Sequence, residues 1–397
     1  MTITARVRQL APSATLAISA RARQLQAEGI DVISFGSGEP DFDTPAHIKA
    51  AAVQALQEGF TKYTATDGID ELKDAIRTKL KRGNGLDYAR EEIIVSCGGK
   101  HSLYNIAQAL FEPGDEVLLP SPYWVTYQEQ VKLSEAHAVI VPTHEADGFV
   151  LRASAVAAAV TPRTKALILD SPNNPTGAVV PREELKGLAR LALERGFWVI
   201  SDECYEDLVY DGVEVASIAS LSQAMRERTI LVYTMSKSYA MTGWRIGYAA
   251  GPREVIRAMA TFQGQVTSNP TSIAQRAAAA ALAGPQDSVR TMAAEFDRRR
   301  TYLVGRLQAM PGIRCVVPQG AFYAFPNVSG LFGRRWQGGT LRGSKDVCEF
   351  LLDEARIAVV PGIEFGSDHH VRFTYATNFE AISEGMDRMA AAIAAVR

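Results

Sequence analysis

An alternation repeated between residues 90 and 250 limits the folds that are open to this 397-residue sequence. Each time, a short apolar run rich in β-branched residues is followed by turn residues and then by a stretch with helical spacing. Six of these runs predict strands: Glu92–Ser96, Glu116–Pro120, Ala138–Pro142, Lys165–Asp170, Phe197–Asp202 and Ile230–Thr234. Buried strands that alternate with helices are typical of a mostly parallel sheet. The alternation therefore predicts an α/β fold.

The sequence changes character after about residue 270. A long helical stretch, first rich in Ala and then in Arg, runs from Ser272 to about Met310, with a break near Gly284-Pro285. Strand-like pieces follow at residues 314–317, 321–325, 357–360 and 371–375, together with two further helices. This pattern predicts a second, smaller lobe of the α+β type.

Composition and charge exclude several classes of protein. Hydrophobic residues make up 47% and charged residues 22%, as in globular domains. The 42 basic and 44 acidic residues give no basic excess that would attract nucleic acid or an anionic membrane. No CxxC pair occurs, which argues against a zinc or disulfide framework and for a reducing compartment. The four cysteines are Cys97, Cys204, Cys315 and Cys348. Without a signal peptide or an apolar run of spanning length, we expect a cytoplasmic protein with no metal.

Several common motifs are incomplete. The segment Gly36-Ser-Gly38-Glu-Pro begins like a dinucleotide-binding fingerprint, but it lacks the third glycine and contains Pro40. Gly99-Lys100 lacks both the earlier glycine and the hydroxyl residue of a P-loop. These departures count against nicotinamide and nucleotide chemistry.

Parallel sheets bind ligands outside the carboxyl ends of their strands, so polar residues that follow the predicted strands are the candidates for function. Asp202 ends one run, and Tyr205 follows it within one helical turn. A carboxylate at this position either faces a ligand or caps the next helix. The segment Ser171–Gly177 follows another run, but its Asn-Pro and Thr-Gly pairs are also ordinary turn residues.

Two more segments carry groups suited to a phosphorylated carbonyl compound. Thr234, Ser236, Lys237 and Arg245 follow one predicted strand, and a lysine at a buried crevice can act as an amine nucleophile. Hydroxyls and a guanidinium suit a phosphate, although most lysines simply lie on the surface. Ser96–Lys100 follows another strand, and its glycines either let backbone N–H groups approach a phosphate or form a plain turn.

One ligand accounts for all four segments together. It has a carbonyl for Lys237, a phosphate for Arg245 and the Gly98 turn, and a cationic ring nitrogen for Asp202. Pyridoxal 5′-phosphate has these groups, and a lysine with an Asp partner on the pyridinium nitrogen is its usual signature.

The sequence resembles the class I/II aminotransferases of pyridoxal-phosphate fold type I. It looks most like the bacterial aspartate aminotransferase branch, which includes prephenate-accepting enzymes. The resemblance extends from Pro12–Thr15 to the last helix. The segments that carry it in combination are Gly38–Pro45, Ser171–Gly177 and Ser236–Arg245.

The resemblance implies a fold and a domain division. We expect a large cofactor-binding domain, residues 48–290, with a mostly parallel seven-stranded sheet between helices. Residues 1–47 and 291–397 would together form a small α+β domain that closes over the active site. The active unit would be a homodimer that binds no nucleic acid and no membrane, with Tyr63 reaching the partner's site.

The resemblance also implies a role for each matching residue. Lys237 would link to the cofactor as a Schiff base and move the substrate proton, and Asp202 would keep the ring nitrogen protonated. Tyr205 and Asn174 would bond the phenolic oxygen, and Arg372 and Gly38 would bind the substrate α-carboxylate. Trp124 would pack beside the ring and the substrate. The phosphate would be held by Gly98, Gly99, Lys100, Thr234, Ser236, Arg245 and the partner's Tyr63.

Substrate choice depends on the group that binds the distal carboxylate. The segment 258–275 has no Arg or Lys, so Lys100 is the cation expected to bind it. The resemblance then implies transamination between L-aspartate or L-glutamate and 2-oxoglutarate. Prephenate or an aromatic 2-oxo acid as acceptor is an alternative, although prephenate-accepting relatives often carry a lysine where this chain has Ala11.

Two further classes of function are compatible with the same fold. A lyase would share Lys237, Asp202 and Arg372. A regulator built on this fold would carry an added DNA-binding module, for which neither the length nor the charge leaves room. Cys97 and Cys204 lie near the predicted site and either modulate activity or fill space as small apolar residues.

Overall fold

The structure is a computed structural model that describes residues 3–12 and 14–396. Ser13, part of the Pro12–Thr15 segment named above, lies outside the described residues. The strands are β1 (Ile33–Ser34), β2 (Ile93–Ser96), β3 (Glu116–Ser121), β4 (His137–Pro142), β5 (Thr164–Asp170), β6 (Trp198–Asp202), β7 (Thr229–Thr234), β8 (Gly247–Ala250), β9 (Tyr323–Ala324), β10 (Arg335–Trp336), β11 (Gly339–Thr340), β12 (Ile357–Ala358), β13 (Val360–Pro361) and β14 (Val371–Thr374).

The α-helices connect and cover these strands. They are α1 (Ala5–Arg8), α2 (Ala14–Ala27), α3 (Ala46–Gln57), α4 (Asp70–Asn84), α5 (Gly99–Leu110), α6 (Val125–Leu133), α7 (Ala153–Ala159), α8 (Arg182–Arg195), α9 (Gln223–Arg226), α10 (Met235–Ser238), α11 (Arg253–Val266), α12 (Ser272–Ala283), α13 (Asp287–Gln308), α14 (Ser344–Ala355) and α15 (Phe379–Ala395).

A seven-stranded sheet with the order β2-β8-β7-β6-β5-β3-β4 forms the centre of the larger part of the molecule. The pairs from β7 to β4 are parallel, and β8 runs antiparallel to both of its neighbours. The six runs predicted as strands are all present, and the mostly parallel sheet is confirmed.

Helices pack on both faces of this sheet because successive residues of its buried strands point to opposite sides. In β2, Ile93 and Val95 join a cluster with α3, α4 and α12, whereas Ile94 joins a cluster with α5, α6 and α11. At the other end of the sheet, α7 and α8 pack on Leu118, Leu167 and Val199. The sheet therefore lies between two helical layers.

A second group of strands and helices is built mainly from the C-terminal part of the chain. Strands β13, β14 and β9 form an antiparallel sheet, and β1 pairs in parallel with β12. Their apolar residues pack against α13, α14 and α15 in one cluster. The pairing of Ile33 with Ile357 joins the N-terminal segment to this α+β part.

Two local expectations differ from the structure. The segment 314–317 is not a strand, because only Arg314 makes a bridge, to Asn327. The seventh strand of the large sheet, Gly247–Ala250, is not among the runs read from the sequence. It is short and holds two alanines and a glycine, so it lacks the β-branched residues that mark the other strands.

Within the described part of the chain, no helix combines the length and the apolar character needed to cross a bilayer.

Candidate active site

A cleft of about 560 Å³ opens at the carboxyl ends of the parallel strands, a volume in the range of small-molecule sites. Strands β5, β6 and β7 deliver residues to it directly, and α5 begins at its edge. Every predicted site residue lines this cleft except Gly98 and Tyr63. Those that line it are Gly38, Gly99, Lys100, Trp124, Asn174, Asp202, Tyr205, Thr234, Ser236, Lys237, Arg245 and Arg372.

Asp202, the last residue of β6, is buried at the floor of the cleft. Its carboxylate accepts hydrogen bonds from the Tyr127 hydroxyl (2.8 Å) and from the Cys204 backbone N–H (3.3 Å). Burial raises the pKa of the Asp202 carboxyl, and the bond from Tyr127 opposes that rise. Asp202 is thus held in place by neighbouring protein groups while it lines the cleft, as expected for a ligand contact.

A second carboxylate lies beside it. Asp170 ends β5, and the sheet register pairs Asp170 with Asp202. Burial, followed by the negative charge of Asp202, raises the pKa of the Asp170 carboxyl. Neither residue forms an ion pair within the described part of the chain, although the nearby charge of Lys237 lowers the pKa of Asp202. Buried carboxylates are costly without a compensating positive charge, and a ligand cation would supply one.

Lys237 follows β7 in the short helix α10 and reaches the cleft from the neighbouring strand end. Its amine donates a hydrogen bond to the Gly38 carbonyl oxygen. The amine also lies 5.9 Å from the centre of the Tyr205 ring. Burial lowers the pKa of Lys237 from 10.5 to about 8. A sizeable fraction of this amine is therefore neutral, and thus nucleophilic, near physiological pH.

The opposite end of the cleft is suited to an anion. The N-terminus of the 12-residue helix α5 presents backbone N–H groups at Gly99 and Lys100. The Thr234 and Ser236 hydroxyls lie 2.9 Å apart beside it. Among the described residues, the Arg245 guanidinium donates only to backbone carbonyls, at Thr242 (2.8 Å) and Cys97 (3.5 Å), and so keeps its charge for a ligand.

Gly98 contributes to this end without lining the cleft itself. Its φ of 93° lies in the region that favours glycine, and a Cβ at this position would lie 2.5 Å from Nη2 of Arg245. The glycine therefore leaves room for the guanidinium at the helix N-terminus. The contribution of Gly98 at this end of the cleft is space and backbone conformation.

Arg372 of β14 enters the cleft from the smaller part of the molecule and is only 1% exposed. Its Nη1 donates to Asn174 Oδ1 and its Nη2 to the Gly36 carbonyl, both at 3.0 Å. Its Nε is buried and has no hydrogen-bond partner in the part of the chain that the structure describes. A buried guanidinium with neutral partners and a free donor is suited to a bidentate bond with a ligand carboxylate.

Tyr205 and Tyr323 connect the two sides of the cleft. Their hydroxyls are 2.9 Å apart, and the Arg372 guanidinium lies 4.4 Å from the centre of the Tyr323 ring. Burial, followed by the neighbouring Tyr323, raises the pKa of Tyr205 well above its usual value. Tyr205 is thus a neutral hydrogen-bond donor at ordinary pH.

Lys100 and Trp124 form the remaining wall. The Lys100 amine lies 4.8 Å from the centre of the Trp124 indole, and Trp124 packs edge-on against Tyr127 at 5.4 Å. Burial and the nearby Arg245 lower the pKa of Lys100. An amine above an aromatic face is a point charge available to a second carboxylate.

Tyr63 lies away from this cleft and is 91% exposed. Its predicted role requires a second chain.

Three residues that bond or pack against the predicted site escaped the sequence analysis: Tyr127, Asp170 and Tyr323. Asp170 could have been found from the sequence, because this residue ends the predicted strand that precedes the strand of Asp202. Tyr127 and Tyr323 carry no local signal, since tyrosines in a helix and a short strand are ordinary core residues.

The thiols of Cys97 and Cys204 differ in their surroundings. Burial raises the pKa of both, and it does so far more for Cys204, which lines the cleft beside Asp202. Thiols with raised pKa values are weak nucleophiles, which favours the interpretation of both cysteines as packing residues.

These groups fit pyridoxal 5′-phosphate on independent grounds. The unpaired carboxylates suit its ring cation, the helix N-terminus with Arg245 suits its phosphate, and the amine of Lys237 suits its aldehyde. All three lie in one cleft of adequate volume.

Comparisons with known proteins agree with this chemistry. The sequence model of the family "Aminotransferase class I and II" matches residues 30–389. An aspartate aminotransferase of Geobacillus stearothermophilus is 47% identical over 392 residues, 98% of each chain. An aspartate/prephenate aminotransferase of Cereibacter sphaeroides is 47% identical over 382 residues, 96% of each chain. The crystal structure of an aspartate aminotransferase from Rhizobium meliloti has a TM-score of 0.96 at 44% identity and covers 100% of both chains.

The mostly parallel sheet, the cleft at its carboxyl edge and full-length similarity lead to one conclusion: this chain belongs to the class I and II aminotransferases, a family of enzymes that depend on pyridoxal 5′-phosphate.

Proposed function

We propose that this chain transfers an amino group from L-aspartate to 2-oxoglutarate, yielding oxaloacetate and L-glutamate, and that L-glutamate is the donor in the reverse direction. The main support is the buried Arg372 with its unpartnered Nε, which faces the same cleft as Lys100. Two separate cations in one cleft suit an amino acid with two carboxylates. The names of the relatives above support this choice.

The geometry of the cleft supports the assignment of the residues that would hold the cofactor. Asp202 would accept the ring N–H, and Tyr205 and Asn174 would bond the phenolic oxygen. Trp124 would pack beside the ring. The phosphate would be bound by the N–H groups of Gly99 and Lys100, the hydroxyls of Thr234 and Ser236, and Arg245. When bound, pyridoxal phosphate supplies a reactive carbonyl and a ring that accepts electrons from the substrate α-carbon.

Lys237 is the proposed general base and acid. Its lowered pKa, caused by burial, allows the neutral amine to take the proton of the substrate α-carbon and to return it at another carbon. Its short tether in α10 keeps the amine near the Gly38 carbonyl, so the proton moves within the cleft and not through bulk water.

Arg372 and Asn174 are the proposed binding site for the substrate α-carboxylate, with the Gly38 backbone beside them. Because Asn174 already contacts Arg372 at 3.0 Å, the guanidinium is held in a fixed orientation before substrate arrives. A pre-oriented fork lowers the entropy lost on binding. Lys100 would bind the distal carboxylate, and a point charge tolerates chains of different length.

A prephenate or aromatic acceptor is the second candidate. Its support is the aspartate/prephenate aminotransferase from Cereibacter sphaeroides among the similar proteins. In this chain the relevant position is Ala11, whose backbone N–H donates to Glu129 of α6. That segment therefore lies next to the helix that follows Trp124, although the side chain of Ala11 offers no charge. A lyase reaction is a distant third candidate.

The visible absorption band of the purified enzyme tests the proposal. We expect L-aspartate alone to bleach the band and 2-oxoglutarate to restore it, because the two half-reactions are separate. Prephenate can then replace 2-oxoglutarate as acceptor in the same experiment. A band that aspartate leaves unchanged contradicts the aspartate assignment, and release of pyruvate or ammonia without an acceptor identifies a lyase.

We also propose a homodimer in which Tyr63 completes the phosphate site of the partner. In support, Tyr63 is exposed in one chain, as are Val53 and Leu56 of the nearby helix α3.

The four cysteines are free thiols, which supports a reducing compartment such as the cytoplasm.

The domain division proposed for closure is residues 48–290 against residues 1–47 with 291–397. The pairing of β1 with β12 supports it, since it joins the two halves of the small domain. Arg372 and Gly38 would then approach Lys237 and Asp202 from the opposite side of the cleft. Closure would exclude water from the substrate once both carboxylates are bound.

A further inference from the structure

The carboxylate pair at the floor of the cleft has one member without an assigned role. Asp202 is the expected partner of the cofactor ring nitrogen, whereas Asp170 is required by no part of the function proposed above. Asp170 nevertheless lines the same cleft and pairs with Asp202 across β5 and β6.

The side chains of Asp170 and Asp202 are held by hydrogen bonds from neighbouring protein groups. The Tyr127 hydroxyl donates to Asp202 Oδ2 (2.8 Å), and hydrogen bonding by Tyr127 also lowers the pKa of Asp170. Asp170 Oδ2 accepts from the Asn174 backbone N–H (3.0 Å) and from Asn173 Nδ2 (3.3 Å). These bonds hold the Asp170 carboxylate at the strand end and prevent it from turning away.

The nearest positive charges are assigned elsewhere. Lys237 is the amine that reacts with the cofactor, and Arg372 donates to Asn174 and Gly36. Within the described residues, neither Asp170 nor Asp202 forms an ion pair. Burial and the charge of Asp202 raise the pKa of Asp170 in the chain alone, whereas a ligand cation at this point of the cleft would favour the ionised form of both carboxyls. Such a cation would then interact with two negative charges and not one.

We propose that Asp170 is a positioning residue of the cofactor site, whose charge acts through Asp202 to hold the proton on the cofactor's ring nitrogen. The inference rests on the family's use of pyridoxal phosphate and on the position proposed for Asp202. A neighbouring negative charge makes Asp202 a stronger acceptor, and in a partly dehydrated cleft this effect is poorly screened. A single carboxylate would hold the same proton less tightly.

The test separates charge from structure by comparing two ligands. The full-length chain freed of cofactor is titrated with pyridoxal phosphate and with an analogue in which C–H replaces the ring nitrogen. The ratio of the two dissociation constants measures what the carboxylates contribute to the ring N–H. Substitution Asp170→Asn keeps an oxygen that accepts from the Asn174 N–H and removes only the charge. We expect this substitution to lower the preference for pyridoxal phosphate by roughly tenfold.

Two further variants calibrate the measurement. Asp202→Asn should lower the preference more than Asp170→Asn does, because it removes the direct acceptor. Glu39→Gln removes a carboxylate at the mouth of the same cleft, bonded there to Thr242, and should leave the ratio unchanged. If Asp170→Asn fails to fold, Asp170→Ser retains an acceptor for the same N–H and is titrated in its place.

An equal loss of affinity for both ligands in Asp170→Asn overturns the proposal, because it assigns Asp170 to loop structure alone. An unchanged ratio with unchanged affinities overturns it as well. The titration involves no amino donor, so a failure of the aspartate assignment would leave its outcome untouched.

Discussion

At the scale of single residues, the cleft sets the protonation state of each group through burial and neighbouring charge. Lys237 has its pKa lowered to about 8, whereas the pKa of Asp202 and that of Tyr205 are raised. The result is an amine that can be neutral beside a phenol that keeps its proton. Groups with pKa values shifted in opposite directions within one cleft are typical of sites of proton transfer.

Replacing Lys237 by alanine should separate binding from proton transfer. We expect Lys237→Ala to retain cofactor without a covalent link and to lose at least about 10⁴-fold in turnover, because the variant lacks the proposed general base. Exchange of the substrate α-proton with deuterated solvent, followed by NMR, measures the lost step. Lys100→Gln removes a different amine from the same cleft and should retain this exchange. Rapid exchange in Lys237→Ala would refute the assignment.

Arg372 offers a test of carboxylate geometry. Arg372→Lys keeps the charge but loses the planar fork, so we expect kcat/KM for aspartate to fall by about 10²-fold or more. Steady-state kinetics measure this loss, and thermal unfolding monitors the fold. Arg300 is a similarly buried arginine outside the cleft, bonded to Asp211 and Asp297. Arg300→Lys should change stability and leave kcat/KM near the parent value. The same kinetic loss in both variants would indicate a general effect of buried arginines.

At the scale of elements, the N-terminus of α5 brings the phosphate groups together only because the turn before it is compact. Gly98 supplies a positive φ and leaves space for Arg245. The strand ends of β6 and β7 then place Asp202 and Lys237 opposite this helix. The geometry of the phosphate site therefore depends on the contact between the turn at Gly98 and the side chain of Arg245.

Gly98→Ala should weaken cofactor binding by about tenfold or more, because its Cβ would displace the Arg245 guanidinium as well as strain the backbone. Gly114 has a similar φ of 97°, but no described residue lies within 4 Å of a Cβ built there. Gly114→Ala therefore carries the strain without the collision. Fluorescence titration of the cofactor-free chains compares the two. Equal cofactor affinities in Gly98→Ala and Gly114→Ala would show that the position of the Arg245 guanidinium does not depend on Gly98.

At the scale of the whole molecule, Tyr63 decides whether one chain contains a complete site. It is 91% exposed and does not line the cleft of its own chain. A dimer in which this tyrosine crosses to the partner explains both observations.

Mixed dimers test that arrangement. Chains carrying Lys237→Ala and chains carrying Tyr63→Ala are each impaired, but a hybrid of the two would contain one intact site. After unfolding and joint refolding in equal amounts, we expect activity to recover to about a quarter of the parent value. Light scattering of the parent enzyme establishes the oligomeric state first. Recovery no greater than the sum of the separate variants would mean that Tyr63 does not act in the partner's site.

Local patterns in the sequence were enough to predict the alternation of strands and helices, the break near Gly284-Pro285 and the strand-end position of Asp202. These features are local, since β-branched runs and turn residues favour the same conformation wherever the chain goes. The strand Gly247–Ala250 was missed because its small residues carry no local strand signal, and its pairing with β7 and β2 defines it. The strand predicted at residues 314–317 was wrong, because Arg314 forms an isolated bridge to Asn327 and no strand forms there.

Which charges meet, by contrast, depends on the packing of the whole chain. The pairing of Asp170 with Asp202, the bond from Tyr127 to Asp202 and the place of Tyr323 beside Tyr205 join residues far apart in the chain. No local pattern contains such contacts, because they arise from strand order and from how the smaller part of the molecule packs on the larger. The sequence thus determines which chemical groups are available. The fold buries these side chains together in one cleft and thereby determines their pKa values and their hydrogen-bond partners.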